Sequence, residues 1–254
     1  MLLAMDIGNT NITIGCYEGE NLRFISRMAT DRSRMEDQYA IELRDILDIN
    51  GISAKEIDGS IISSVVPPLT GYIRNAIRKI TATNPLTIGP GMKTGLNIRI
   101  DDPATLGADL VAGCVAALER YPCPAIVIDL GTATTIAVMD SQKVMVGGSI
   151  LPGVRISLEA LSTRTAQLPH ISLEAPKKVI GKNTIDCMTS GSVFGTAAMI
   201  DGMCERIEEE LGEACTVIAT GGLAGVTVPF CRHTVIVDEN LLLDGLRILY
   251  ERNA

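Results

Sequence analysis

Three aspartates carry the chemistry that this sequence offers. Asp6 and Asp129 each close an apolar run and open similar strings, Asp6-Ile7-Gly8-Asn9-Thr10-Asn11-Ile12-Thr13 and Asp129-Leu130-Gly131-Thr132-Ala133-Thr134-Thr135. A glycine at such a turn lets backbone N–H groups approach an anion with no Cβ in the way, and the short polar side chains add donors. A carboxylate repels phosphate, so its natural task beside such a turn is to hold a cation, or the cation's water, between protein and phosphate. Either string alone also reads as a tight hairpin turn with an Asx cap. Two copies in one register, 123 residues apart, favour a ligand gripped from both sides.

The third aspartate, Asp109, lies in Leu106-Gly107-Ala108-Asp109-Leu110, in the first turn of a helix expected over 108–121. An acid there complements the helix dipole. Near a phosphate site it can also accept a proton from an attacking hydroxyl. The residues alone leave both readings open. Gly221-Gly222 after Val217-Ile218-Ala219 suits a base or ribose lying on backbone, or a plain strand-to-helix turn. Gly147-Gly148-Ser149-Ile150-Leu151-Pro152-Gly153 is equally ambiguous. Gly191 and Gly195, four apart in a long helix, suggest close packing by another helix, and Met188, Met199 and Met203 read as core or interface filler.

The elements that must position these residues are legible from periodicity. Leu2–Met5 is a strand, and Ile12, Ile14 and Cys16 alternate along a second, which turns at Glu18–Asn21 into Leu22–Ile25. Helical spacing runs from Met35 to Ile49 and from Leu69 to Ile80, and Ile57–Val66 is a strand stopped by Pro67-Pro68. Ala125–Ile128 is an apolar strand, and Ile136–Met145 alternates through a hairpin at Asp140–Gln142. Further helices are expected near 154–164, 187–211 and 239–252, with a strand at Thr216–Ala219. The repeated Asp-x-Gly string predicts an α/β chain of two similar halves, 1–116 and 117–254, facing each other across a cleft, with the last helix packing back toward the junction.

Composition narrows the function. With 22 Lys and Arg against 30 Asp and Glu, the net charge of −8 argues against a partner that is nucleic acid or an anionic membrane surface. No apolar stretch approaches the 18 or so residues a membrane span needs. The first residues lack the basic segment of a signal peptide, which points to the cytoplasm. Seven cysteines with no CxxC pair disfavour structural zinc and a disulfide framework, and two histidines leave acid–base work to carboxylates.

Taken together and in order, Asp6–Asn11, Gly107–Asp109, Asp129–Thr135, Gly147–Gly153 and Asn183-Thr184 with Gly191 and Gly195 resemble the motifs of type III pantothenate kinases. These are members of the acetate and sugar kinase, actin and heat-shock chaperone ATPase superfamily. The resemblance spans essentially the whole chain. It implies two ribonuclease-H-like, actin-like ATPase halves with mixed sheets flanked by helices, and transfer of the γ-phosphate of ATP to the primary hydroxyl of pantothenate. It also implies a homodimer that uses Mg²⁺ and K⁺ or NH₄⁺. On the same basis Asp109 is the catalytic base. Asp6, Ile7, Gly8, Asn9, Thr10, Asn11, Ile12, Thr13 and Thr132 contact ATP. Gly107, Ala108, Asp109, Leu110 and Thr184 line the pantothenate site, Thr184 serving a neighbouring subunit's substrate, and Asp129 binds the monovalent cation. Leu110 stands where the family usually has Arg, and Ile100 where it often has Tyr, so Arg99 and Arg155 are candidates to pair the substrate carboxylate. Another hydroxyl acceptor, or a non-catalytic binding role, are the competing readings.

Overall fold

A computed structural model describes residues Met1–Ala254. The chain divides into two compact units: Met1–Gly95 with Asp102–Ala116 and Leu241–Ala254, and Leu96–Asp101 with Ala117–Asn240.

In the first unit β1 (Leu2–Ile7), β2 (Asn11–Glu18) and β3 (Asn21–Ala29) form an antiparallel meander. Helix α1 (Glu36–Ile49) leads to β4 (Gly59–Ser64), and α2 (Pro67–Thr81) to β5 (Leu86–Thr87). Both of these strands run parallel to their neighbours, giving the order β3-β2-β1-β4-β5. The period-two alternation of a strand sorts its residues. Leu3, Met5 and Ile7 of β1 join Ile12, Ile14 and Cys16 of β2 in one core with Tyr39 and Leu43 of α1 and Leu69 and Ile73 of α2. Each fully buried side chain of this kind contributes about 1.5–3 kcal/mol.

The other face is built for close approach. It carries Ala4 opposite Gly15 and Asp6 opposite Thr13. Helix α7 (Leu241–Asn253) packs there, Leu243 against Gly15 and Tyr250 against Gly59, where a Cβ would collide with the phenol. Tyr17 donates to Asp244 at 2.8 Å. Gly245 of α7 lies so close to the Ala112 backbone of α3 (Ala108–Arg120) that no side chain fits.

The second unit holds β6 (Asn97–Ile98), β7 (Ala125–Leu130), β8 (Ala133–Met139), β9 (Val144–Pro152), α4 (Val154–Arg164), α5 (Thr184–Leu211), β10 (Thr216–Thr220), α6 (Ala224–Thr227) and β11 (Val235–Val237). Its sheet order is β11-β10-β7-β8-β9-β6. Stripped of the added edge β6, this is the order of the first unit again: an antiparallel meander β7-β8-β9, then two parallel strands outside β7. Ile126, Ile128 and Leu130 share a core with Ile136, Val138, Val154, Leu158 and Ile200. The same alternation sets Asp129 on the opposite face. Helix α5 begins three residues before its sequence-predicted start, because Asn183 caps it by accepting the Asp186 amide at 2.9 Å.

Candidate active site

Each unit places its aspartate and glycine at the same structural point. In the first, Asp6 pairs with Thr13 and Ile7 with Ile12, and the four intervening residues form the turn. Gly8 closes it by donating its amide to the Asn11 carbonyl at 3.0 Å. The side chains of Ile7 and Ile12 are fully buried in the core, so of the residues expected to contact ATP these two offer backbone only. Asn9, Thr10 and Asn11 are exposed, and Asp6 and Thr13 half-buried.

In the second unit Asp129 pairs with Thr135 and Leu130 with Thr134, and the turn is Gly131-Thr132-Ala133. Gly131 donates to the Ala133 carbonyl at 3.1 Å. Two remote glycines press on it. Gly221, at φ +90°, follows β10 beside Asp129, and a Cβ there would collide with Asp129 Oδ1 and come within 2.7 Å of the Leu130 backbone. Gly153 sits over the turn, where a Cβ would collide with the Thr132 carbonyl and lie 2.7 Å from that of Gly131.

The donor sets fit a bound polyphosphate and its cations. No group of three or more His, Cys, Asp or Glu side chains forms an all-protein metal cage. Each turn instead offers one strand-end carboxylate beside small, glycine-lined backbone. Divalent cations that bridge phosphates are held in this way, through one or two carboxylates and water.

Asp109 occupies the first turn of α3 in the first unit. Its Oδ1 accepts the Leu110 amide at 2.8 Å. Gly107 makes room for it, since a Cβ there would collide with that same oxygen. Burial lifts the carboxyl above its ordinary value of 3.8, against the opposing pull of the backbone bonds from Leu110 and its own amide. A raised pKa makes the ionised form a better proton acceptor. Ala108 and Leu110 flank it half-buried.

Thr184 is exposed at the start of α5 in the second unit, on the rim of an open groove of about 860 Å³ between α4 and α5. Leu151, Val154, Leu161, Met188 and Met199 give the groove apolar walls. Gly191 and Gly195 line it too. No atom of this chain lies within 4 Å of where their Cβ atoms would be, so no helix of this chain makes the close approach expected of them. Arg99 is committed elsewhere, to Asp140 at 3.0 Å.

Sequence reasoning missed three contributors to the turns. Thr30 and Arg32 bond to the first turn from a segment about twenty residues later. Gly153 backs the second, and the only hint of it was its place in a glycine-rich run.

A sheet order of this kind, repeated in both units, with an Asp-x-Gly turn at the same strand ends, defines the actin-like ATPase and sugar-kinase fold. The activator of the 2-hydroxyisocaproyl-CoA dehydratase from Clostridium difficile, solved with bound ADPNP, shares it: TM-score 0.55 at 13% identity, covering 98% of this chain and 92% of that one. The sequence also matches the type III pantothenate kinase family over residues 2–206. Relatives bearing that name include proteins of an Exiguobacterium sp., 44% identical over 100% of this chain and 99% of its own, and of Moorella thermoacetica, 44% identical over all of both chains. The chain belongs to the type III pantothenate kinase family. It is an ATP-dependent kinase of coenzyme A biosynthesis, and the readings with another acceptor or no catalysis are set aside.

Proposed function

We propose that Asp109 is the base of this reaction and that the two glycine turns hold the nucleotide. The Asp109 carboxylate accepts the proton of the primary hydroxyl of pantothenate as that oxygen bonds to the γ-phosphorus of ATP. The bond to the β,γ-bridging oxygen breaks, and ADP and 4′-phosphopantothenate leave. Phosphoryl transfer needs alignment and charge neutralisation more than covalent help. A base of this kind contributes about 10²- to 10⁴-fold. The observation that carries the reading is the half-buried carboxyl of Asp109, with its pKa raised by desolvation and a glycine kept clear beside it.

On this reading Asp6–Thr13 and Thr132 contact ATP, and Gly107–Leu110 and Thr184 line the pantothenate site. Mg²⁺, when bound, neutralises phosphate charge, and Asp6 is the residue placed to hold it through water. Asp129 takes the monovalent cation, K⁺ or NH₄⁺; the glycine forced at position 221 keeps that carboxylate accessible to an ion no side chain could share space with. The enzyme works as a cytoplasmic homodimer. In favour of a second copy, Ile150, Val179, Ile180 and Ile185 are more than half exposed in the same unit as the apolar α4–α5 groove. Thr184 then serves the neighbouring subunit's substrate.

The test is ADP release from purified protein with ATP, Mg²⁺ and K⁺, with and without pantothenate, with the product weighed by mass spectrometry. Pantothenate-dependent turnover giving 4′-phosphopantothenate is expected, faster in K⁺ than in Na⁺. Equal rates in the two salts would remove the cation from Asp129.

A further inference from the structure

The segment between β3 and α1 reaches back to the first turn and bonds to three of its four residues. The Thr30 amide donates to the Thr10 carbonyl at 3.0 Å, the Thr30 hydroxyl to the Gly8 carbonyl at 2.7 Å, and Arg32 Nη2 to Asn9 Oδ1 at 3.0 Å. The segment is itself held in place. Asp31 accepts the Ser33 amide at 2.9 Å and the Ser33 hydroxyl at 2.6 Å, and its carbonyl accepts the hydroxyl of fully buried Tyr39 at 2.7 Å. Arg32 is therefore presented to the turn by a folded support.

Its charge is handled unlike that of Arg23 and Arg34. Arg23 pairs with Glu18, and Arg34 with Asp31 and Glu42. Arg32 is bonded instead to the neutral amide of Asn9, through one nitrogen of a guanidinium that carries five N–H donors. The turn, meanwhile, spends the Gly8 amide on its own closure. Its capacity to bind an anion rests on what its exposed tip carries, and the tip carries Asn9, Thr10 and, through Asn9, a guanidinium fork. Forks of this shape match two phosphate oxygens at once, which a lysine ammonium does not.

We infer that Arg32 is a further nucleotide-binding residue, contacting the polyphosphate of ATP from the tip of the first turn. The inference rests on the reading that this turn holds the nucleotide. Asn9 then acts as a positioning residue, orienting the guanidinium before the nucleotide arrives.

The test compares ATP, ADP and adenosine as ligands of the parent protein and of Arg32→Gln, Arg32→Lys, Asn9→Ala and Thr10→Ala, by competition against a fluorescent ATP analogue and by steady-state kinetics. Arg32→Gln should weaken ATP and ADP about 10- to 100-fold, the range of lost charge-assisted bonds, and leave adenosine and the KM for pantothenate unchanged. Arg32→Lys should fall between it and the parent, and the loss should shrink as salt rises. Because Arg32 is exposed, thermal unfolding should not move. ATP affinity unchanged in Arg32→Gln, or adenosine weakened as much as ATP, would overturn the inference. If Thr10→Ala and Asn9→Ala also leave ATP binding untouched, the turn itself is not the phosphate site; if they weaken it while Arg32→Gln does not, only the role of Arg32 falls.

Discussion

The turns at Gly8–Asn11 and Gly131–Ala133 are closed by the same bond, a glycine amide donated to the carbonyl where the returning strand begins, at 3.0 and 3.1 Å. They differ in length, four residues against three, and in what braces them. The first is held by polar contacts from Thr30 and Arg32. The second is pressed by glycines, Gly153 over the Thr132 carbonyl and Gly221 against Asp129. One motif is thus fixed in two ways. Hydrogen bonds can be lost singly, each at modest cost, whereas a steric fit fails at once when an atom is added. The second turn should be brittle and the first forgiving.

The largest effect should come from a change that leaves both turns intact and so sets the scale for the others. Asp109→Asn should keep ATP binding and lose about 10²- to 10⁴-fold in turnover. The parent's acid limb in kcat/KM should lie above pH 3.8, because burial raises the carboxyl, and should vanish in the variant. Stability should change in the opposite sense. A carboxyl whose folded pKa lies above its unfolded one stabilises fully below the unfolded value, and that contribution is lost as pH rises through the folded value. At neutral pH ionised Asp109 is a burden on folding, and Asp109→Asn should unfold at a higher temperature than the parent. Full turnover in the variant would take the base role away from Asp109.

Next in size is Gly153→Ala. Its methyl must displace the carbonyls of Thr132 and Gly131, both backbone, and overpacking of this kind costs about 1–3 kcal/mol. The expected result is a lower melting temperature together with a rise in the KM for ATP, since the strain falls on the turn. Gly221→Ala adds left-handed strain at φ +90° to a collision with Asp129, and should also flatten the response to K⁺. A variant at either site with parental KM and melting temperature would show that the second turn yields more easily than its geometry implies.

Removing the Thr30 brace, which by its contacts serves the turn alone, should matter less. Thr30→Val keeps the amide bond to Thr10 and loses only the hydroxyl bond to Gly8, about 1 kcal/mol or roughly fivefold in ATP affinity. A hundredfold loss would mean that the first turn is as brittle as the second.

This contrast also marks what the sequence could and could not convey. The presence of the longer strands, both Asp-x-Gly turns and α4 at 154–164 follow from local patterning, because alternation and glycine placement act over a few residues. The short edge strands β6 and β11, two and three residues long, have too little alternation to be told from a loop. The braces were illegible for another reason. Thr30 and Arg32 are ordinary polar residues whose role comes from a partner 22 or 23 positions away, and no local periodicity encodes such a pairing. Gly191 and Gly195 show the opposite limit: four-residue spacing on a helix signals a close approach without saying whether it comes from this chain.

The finest test compares the two closing glycines directly. A Cβ at Gly8 would sit 3.0 Å from the Asn11 carbonyl, the acceptor of its own closing bond, whereas at Gly131 the nearest atom is Asp129 Oδ1 at 3.4 Å, an ordinary contact. Gly8→Ala must therefore shift the backbone bond that defines its turn. Gly131→Ala need only share space with a side chain. The order is the reverse of that set by the braces: the forgiving turn should be the more sensitive one at its glycine. Paired ATP titrations should show a few-fold loss for Gly8→Ala and a smaller one for Gly131→Ala. Equal losses would mean that the closing bond in each turn, and not the room around it, decides how the turn holds its ligand.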